Sequence, residues 1–161
     1  MKKNLHRHAI ELSYDTKTLM KSNDVRIFRG ATLITPGTWT DSVSRRPITY
    51  TEQELSRASR NWITNNLNID HDWSVSKLIG TVQNTRWQDN SVKGDLYINP
   101  ITSIAKDTVA LIDAKMVSAL SVELQSVDKF DDNSDLLATD IDFIGCAVVY
   151  GPRGACEDAR I

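Results

Sequence analysis

The chain has 161 residues, of which 40% are hydrophobic and 25% charged, with a net charge of −2 at pH 7. This length predicts one domain with a sizeable core, and the near-neutral charge argues against a general nucleic-acid or membrane-surface binder. No apolar run approaches the roughly 18 residues of a membrane span. The two cysteines, Cys146 and Cys156, form neither a zinc pattern nor a C-x-x-C motif.

Strands dominate the predicted secondary structure. Apolar runs or alternating apolar and polar residues, which are typical of strands, occur at 8–14, 25–34, 67–73, 77–87, 92–98, 116–127 and 136–151. Polar segments rich in Gly, Pro, Asn, Asp and Ser indicate loops and turns, and they lie at 35–47, 88–91 and 128–135. The turn at 88–91 joins two alternating runs and therefore predicts a β-hairpin.

Two helices are predicted between these strands. The first lies within "YTEQELSRASRNWITNN" (50–66), where Thr51 followed by Glu54 forms a capping box and Tyr50 with Leu55 forms a hydrophobic staple. Trp62 falls on the same predicted helix face as Leu55. Apolar residues recur at helical spacing within 101–112, directly after a proline. Together with the strands, these helices predict a single domain over 1–161 with a β-rich α/β (α+β) architecture.

The stretch "LNIDHDW" contains His71 between two aspartates. A histidine can handle a proton, bind a metal or fill a core hydrogen bond. On a regular strand, Asp70 and Asp72 point to the face opposite His71, so the three side chains would not converge on one metal ion. A metal-dependent hydrolase that uses His71 with carboxylates from elsewhere remains an alternative.

A serine and an acid on separate predicted strands could complete a catalytic group with this histidine. A serine hydroxyl becomes a good nucleophile when a base takes its proton and a third group orients that base. Ser118 and Ser121 lie on one predicted strand and, at odd spacing, face opposite sides; Asp140 and Asp142 lie on another strand and share a face. Spacing alone leaves open that these are ordinary strand residues.

Three segments in this order resemble the prohead proteases of tailed phages, a family related to the herpesvirus assemblins. They are "IDHDWSVSKLIGTV" (69–82), "AKMVSALSVELQ" (114–125) and "DIDFIGCAVVYGPRGA" (140–155). The resemblance implies a small, mostly antiparallel β-barrel flanked by helices, similar to the herpesvirus proteases. It places the catalytic segments at 67–82, 114–125 and 140–155.

The resemblance also implies roles for single residues. His71 matches the general base, and Ser121 holds the position of the nucleophile. The family often has a glutamate late in the last strand, and this position is Gly145 here, so the sequence departs from the usual pattern. We expect the acid to be Asp142, which is nearer the strand centre and resembles an acidic position in the family, with Asp140 as the alternative.

The segment "GPRGA" that follows the last predicted strand is a candidate oxyanion loop. Glycines permit a tight turn that directs backbone N–H groups at a developing negative charge, and arginine adds positive charge. Arg153 and Gly154 are therefore the oxyanion candidates, although an ordinary turn with an exposed arginine is an equal alternative.

The function that the resemblance implies is a serine endopeptidase without metal or cofactor. Its implied substrates are scaffold protein, the scaffold-like part of the capsid protein and the protease itself, inside the immature head in the host cytoplasm. Neither nucleic acid nor membrane is an expected partner, and self-association stays open. The alternative is a non-catalytic head assembly or scaffold-linked protein with the same fold.

The last residues, "CEDARI", lead to a separate expectation about the end of the chain. A short charged end suits an extended, cleavable strand, so we expect Ile161 to mark a self-cut or a truncation. A natural end of the gene at this residue is an equal alternative.

Overall fold

The computed structural model describes residues 25–40, 45–150 and 158–161. In this part of the chain, eight strands and two α-helices follow one another as β1 (Arg26–Ile34), β2 (Gly37–Thr40), β3 (Pro47–Tyr50), α1 (Glu52–Ala58), β4 (Asn66–Ile69), β5 (Leu78–Gln88), β6 (Ser91–Ile98), α2 (Ser103–Asp113), β7 (Leu120–Phe130) and β8 (Leu136–Val148), with a short 3-10 turn at Val75–Lys77 before β5. Neither α-helix is long and apolar enough to cross a membrane.

All eight strands belong to one mixed sheet, and β8 is its central element. Hydrogen-bonded neighbours follow the order β1-β6-β5-β4-β8-β3-β2, and β7 also pairs with β8. The β7–β8 ladder is antiparallel and extends over nearly the whole of both strands. On its other edge β8 pairs in parallel with β3 at Leu137 and with β4 from Cys146 to Val148. The β-rich architecture with two helices is confirmed.

The predicted closed barrel is not supported. Closure would need a continuous ladder between the two ends of the sheet, β1 and β7. Arg160 instead forms single-residue bridges to Thr32 of β1 and to Ala119, just before β7. The sheet is also mixed, because β3 and β4 run in the direction of β8. Strand direction follows from the connections between strands, and no local sequence pattern encodes it.

Helix α1 begins as predicted but ends early. The hydroxyl oxygen of Thr51 accepts a hydrogen bond from the backbone N–H of Glu54 at 3.3 Å, which confirms the cap. After Ala58 the backbone turns to the edge of β8, where Asn61 O and Ile63 N hydrogen bond with the backbone of Phe143. These groups cannot also serve a helix. Trp62, predicted on the helix face, instead stacks on the Phe143 ring at 4.8 Å.

Other predicted elements agree in part with the structure. The β5–β6 hairpin is confirmed, and its turn residues Asp89 and Asn90 both have positive φ. The predicted loop at 35–47 contains the short strand β2, which pairs with β3. The predicted strand at 8–14 lies outside the described residues.

A buried carboxylate fixes two irregularities in the sheet. Asp95, on β6, accepts hydrogen bonds from the backbone N–H of Gly30 and the side-chain amide of Asn84, both at 2.9 Å. Gly30 and Asn84 have positive φ and lie where the registers of β1 and β5 shift against β6. Asp95 therefore holds both neighbouring strands at the points where their ladders are interrupted.

The pKa of Asp95 lies below its usual range despite burial. Desolvation raises this pKa, but the hydrogen bonds from Asn84 and Gly30 and the positive charges of Arg86 and Arg29 together outweigh it. A lowered pKa in the folded state means that ionised Asp95 contributes stability above its ordinary pKa. This contribution is lost as the pH falls through the lowered value.

We predict that Asp95→Asn lowers the free energy of unfolding by about 1.5–3 kcal/mol at pH 7, the usual range for hydrogen bonds to a charged group. Urea unfolding at several pH values measures it. The difference from wild type should shrink in acid, where wild-type Asp95 is itself protonated. Asp113→Asn is the control, because Asp113 forms an exposed ion pair with Arg26 and should change stability by less than about 1 kcal/mol. Equal effects of the two changes would contradict the role given to Asp95.

Candidate active site

His71 lies in a tight turn directly after β4, and not on a strand as predicted. Asp70 and His71 both have positive φ, at 52° and 60°, and the N–H of Asp72 donates to Ile69 O at 3.0 Å. This is the geometry of a two-residue turn with both central residues left-handed. The alternating-face argument for Asp70, His71 and Asp72 therefore does not apply.

The two aspartates beside His71 hold the turn. The backbone N–H of Asp70 donates to Val148 O at 3.1 Å, and its carboxylate accepts from the N–H of Tyr150 at 3.4 Å. The carboxylate of Asp72 accepts from the N–H of Ser74 at 2.9 Å. Hydrogen bonds from the backbone and hydroxyl of Ser74 lower the pKa of Asp72. Both carboxylates thus help to hold the backbone of the turn.

The imidazole of His71 contacts a carboxylate that the sequence analysis missed. Nδ1 of His71 lies 2.8 Å from Oε1 of Glu123 on β7. The Glu123 side chain is 9% exposed, whereas that of His71 is 39% exposed. An ionised carboxylate can only accept a hydrogen bond, so in the neutral imidazole this contact puts the proton on Nδ1 and leaves the lone pair on Nε2.

Small residues on β8 let His71 reach across the sheet to β7. Gly145 pairs directly with Glu123, and Ala147 pairs with Ser121. Directly paired residues project to the same face, so β8 presents no large side chain between the turn and β7. The ring of Trp73 covers Gly145, with its Cη2 atom 3.6 Å from the position of a Cβ built there. The His71–Glu123 pair therefore lies in a shallow trough over β8.

Ser121 lies on the same face of β7 as Glu123. The ladder with β8 is regular from Leu120 to Glu123, so residues two apart share a face, about 7 Å apart along the strand. Within the described part of the chain, the Ser121 hydroxyl and Nε2 of His71 have no hydrogen-bond partner. The arrangement places the Ser121 hydroxyl on the same face of β7 as the carboxylate that binds His71, two residues away along the strand.

The rival serine, Ser118, lies outside β7. Its backbone carbonyl accepts a hydrogen bond from the N–H of Ile161 at 3.0 Å. Its exposed side chain lines a small cavity of about 200 Å³ with Met116, Tyr150 and Arg160. Ser118 is thus near the trough but belongs to a neighbouring surface.

The two aspartates proposed as the acid have other partners. Asp142 accepts a hydrogen bond from the side chain of Gln125 at 3.2 Å. Asp140 is exposed, 3.9 Å from Arg57, and its N–H donates to Glu54. Glu123 takes the place at His71 that the sequence analysis assigned to Asp142. A sequence signal was present, because Ser121 and Glu123 are two apart on one predicted strand.

The two oxyanion candidates, Arg153 and Gly154, lie outside the described residues, as does Cys156. Among the residues that the structure describes, no group of three His, Cys, Asp or Glu side chains is placed to hold a metal ion.

The fold of this chain has a counterpart among solved structures. It is similar to the capsid assembly protease of bacteriophage T4, gp21, with a TM-score of 0.52. The two proteins are 12% identical over a match that covers 80% of this chain and 98% of the phage protein. No protein-family model and no curated protein matches the sequence. The resemblance to a phage prohead protease therefore extends to the fold, at an identity too low to transfer single residues.

Cys146 lies on β8 between Gly145 and Ala147, but it is fully buried. Desolvation, and next the negative charge of Glu123, raise the pKa of its thiol to about 12. The thiolate is the reactive form of cysteine. Cys146 is therefore a core residue and a poor nucleophile.

We predict that Cys146 resists alkylation in the folded protein. At pH 8, a pKa of about 12 leaves roughly one thiol in ten thousand ionised, and burial blocks access as well. Iodoacetamide treatment followed by peptide mass spectrometry should leave Cys146 unmodified in buffer and modify it in 6 M guanidinium, a concentration on the order of that needed to unfold stable domains. Rapid modification in buffer would show that β8 opens at this position.

Proposed function

We propose that this protein is a serine endopeptidase of phage head maturation. Ser121 is the nucleophile, His71 the general base and Glu123 the group that orients His71. The observation that supports this most directly is the 2.8 Å contact between His71 and Glu123, two residues along β7 from Ser121. The fold similarity to a capsid assembly protease supports the same proposal.

The proposed chemistry follows from the protonation of the imidazole. With Nδ1–H held by Glu123, Nε2 takes the proton of the Ser121 hydroxyl as the oxygen attacks the scissile carbonyl. The imidazolium that forms is stabilised by the carboxylate, and it then protonates the leaving amine. A water molecule, deprotonated by the same nitrogen, hydrolyses the acyl-enzyme.

The developing oxyanion needs donors near the serine. Arg153 and Gly154 keep this role in the proposal. Tyr150, which precedes their segment, is tied to the His71 turn through Asp70. Ala159, which follows it, accepts a hydrogen bond from Leu120, next to Ser121. Both flanks of the 151–157 segment are thus anchored close to the site.

The proposed substrates are scaffold protein, the scaffold-like part of the capsid protein and the protease itself. The proposed place of action is the inside of the immature head, in the host cytoplasm. The similarity to the capsid assembly protease of bacteriophage T4 and the resemblance of the three sequence segments support these assignments.

A fluorophosphonate probe tests the nucleophile without a known substrate. We predict that it labels Ser121, that Ser121→Ala abolishes labelling, and that Ser118→Ala, the matched control three residues away, leaves the rate unchanged. His71→Asn should slow labelling by roughly 10²–10⁴-fold, the usual contribution of a general base. Asparagine is chosen because it tolerates the left-handed backbone of position 71. Peptide mass spectrometry identifies the labelled residue.

The outcomes of this experiment separate the proposed function from its alternatives. Labelling at Ser118 would reassign the nucleophile. A non-catalytic assembly protein would be favoured by two results together. The folded wild type would not be labelled, and scaffold and capsid proteins co-expressed with it would stay intact. Cleavage that a chelator abolishes would favour a metal-dependent hydrolase.

A second prediction separates the three candidate acids. Glu123→Gln should lower the rate of Ser121 labelling by roughly 10³–10⁴-fold, because an amide cannot stabilise the imidazolium and can hold the wrong tautomer. Asp142→Asn and Asp140→Asn should each change it less than about threefold, since these side chains bind Gln125 and Arg57 and a threefold change is under 1 kcal/mol. A larger loss in Asp142→Asn than in Glu123→Gln would restore the sequence-based assignment.

A further inference from the structure

We propose that Gly145 is a positioning residue for the active site. Its missing side chain leaves the space in which Glu123 places its carboxylate against His71, and a carboxylate carried by position 145 itself can take over that role. This inference rests on the proposed function for its kinetic consequences, but the geometric part can be tested without any activity.

The first observation is the placement of the two residues. Glu123 and Gly145 are direct partners in the β7–β8 ladder and project to the same face. Any side chain at position 145 would therefore enter the trough that holds the carboxylate of Glu123.

The second observation is how close such a side chain would come. A Cβ built on Gly145 would lie 2.9 Å from Oε2 of Glu123. Its next neighbours, the backbone carbonyl of Asn66 and the ring of Trp73, lie at ordinary contact distances of 3.5 Å and 3.6 Å. The one tight contact is thus with the carboxylate, and the backbone of Gly145 does not have the positive φ that would favour glycine for its own sake.

The third observation concerns Oε2 itself. This oxygen is buried and has no hydrogen-bond partner within the described part of the chain, while Oε1 binds His71. The Glu123 side chain is therefore held in place by one hydrogen bond and by the shape of the space around it. A methyl group at position 145 would push on the unanchored oxygen and rotate the carboxylate relative to the imidazole.

The displaced atom is the end of a flexible side chain. Gly145→Ala should therefore change the alignment of the Glu123 carboxylate with His71 more than it changes the stability of the fold. We expect Gly145→Ala to leave the urea midpoint within experimental error and to slow fluorophosphonate labelling of Ser121 by about tenfold to a hundredfold, the scale of a misplacement of about 1 Å. In a Glu123→Ala background the same change should have no further effect, because no carboxylate remains to be displaced.

The decisive experiment moves the carboxylate from one strand to the other. Glu123→Ala should slow the fluorophosphonate labelling of Ser121 to the extent expected when the orienting acid is lost. Adding Gly145→Glu to this variant should restore at least a tenth of the wild-type labelling rate. Gly145→Asp in the same background tests the shorter reach. Gly145→Gln in the same background is the matched control. Glutamine has the shape of glutamate without its charge, so this variant should not restore the labelling rate.

NMR provides a readout that does not depend on catalysis. The chain contains three histidines, so selective ¹⁵N-histidine labelling gives a spectrum in which His71 can be assigned by mutation. A hydrogen-bonded Nδ1–H should be present in wild type, absent in Glu123→Ala and present again in Glu123→Ala with Gly145→Glu or Gly145→Asp.

The two readouts distinguish the failure of this inference from the failure of the proposed function. If wild-type Ser121 is never labelled but the Nδ1–H signal follows the carboxylate between strands, the proposed function is wrong and the inference about Gly145 holds. If wild type is labelled and neither double variant recovers rate or signal, the inference about Gly145 is overturned.

Discussion

The antiparallel ladder between β7 and β8 determines where Ser121 and Glu123 of the candidate site lie. It brings Ser121 opposite Ala147 and Glu123 opposite Gly145, so that one strand carries these two candidate side chains and the other leaves room for them. A shift of one residue in this register would send Ser121 and Glu123 to the other face of the sheet. The parallel pairing of β4 with the other edge of β8 then delivers His71 to the same trough.

The site combines features that cost stability. Two consecutive residues, Asp70 and His71, adopt left-handed backbone conformations without being glycine, and such strain persists where the surroundings determine it. The Glu123 carboxylate is largely buried and bound through one oxygen. A buried charge is expensive unless it is paired, and His71 is the partner that the structure provides. Their combination at one place is more typical of a functional site than of a core built for stability.

The relation to the T4 capsid assembly protease is one of fold. At 12% identity over most of both chains, the arrangement of strands is shared while most side chains differ, and a shared fold does not by itself determine function. The proposed function therefore depends on the local geometry of this chain. In that geometry Glu123 on β7 lies directly opposite Gly145, the position at which the prohead protease family often has a glutamate.

The sequence by itself determined the local elements. Alternation of apolar residues located β1, β5, β6, β7 and β8, the capping box located the start of α1, and the aspartate and asparagine between β5 and β6 located a hairpin turn. These features depend on contacts between residues close in the chain, which is why pattern alone was sufficient. The resemblance of three sequence segments to the prohead proteases pointed to His71 and Ser121, whose roles remain proposals.

Only the tertiary structure decided which distant groups meet. Long-range backbone partners determine three features of the fold. These are the parallel pairing of β8 with β3 and β4, the sheet that does not close into a barrel, and the early end of α1 at the edge of β8. His71 and Glu123 are 52 residues apart, so no local pattern could pair them. The acid expected from sequence was Asp142, and strand register placed it beside Gln125. Register is a property of two strands together, and one strand's sequence does not contain it.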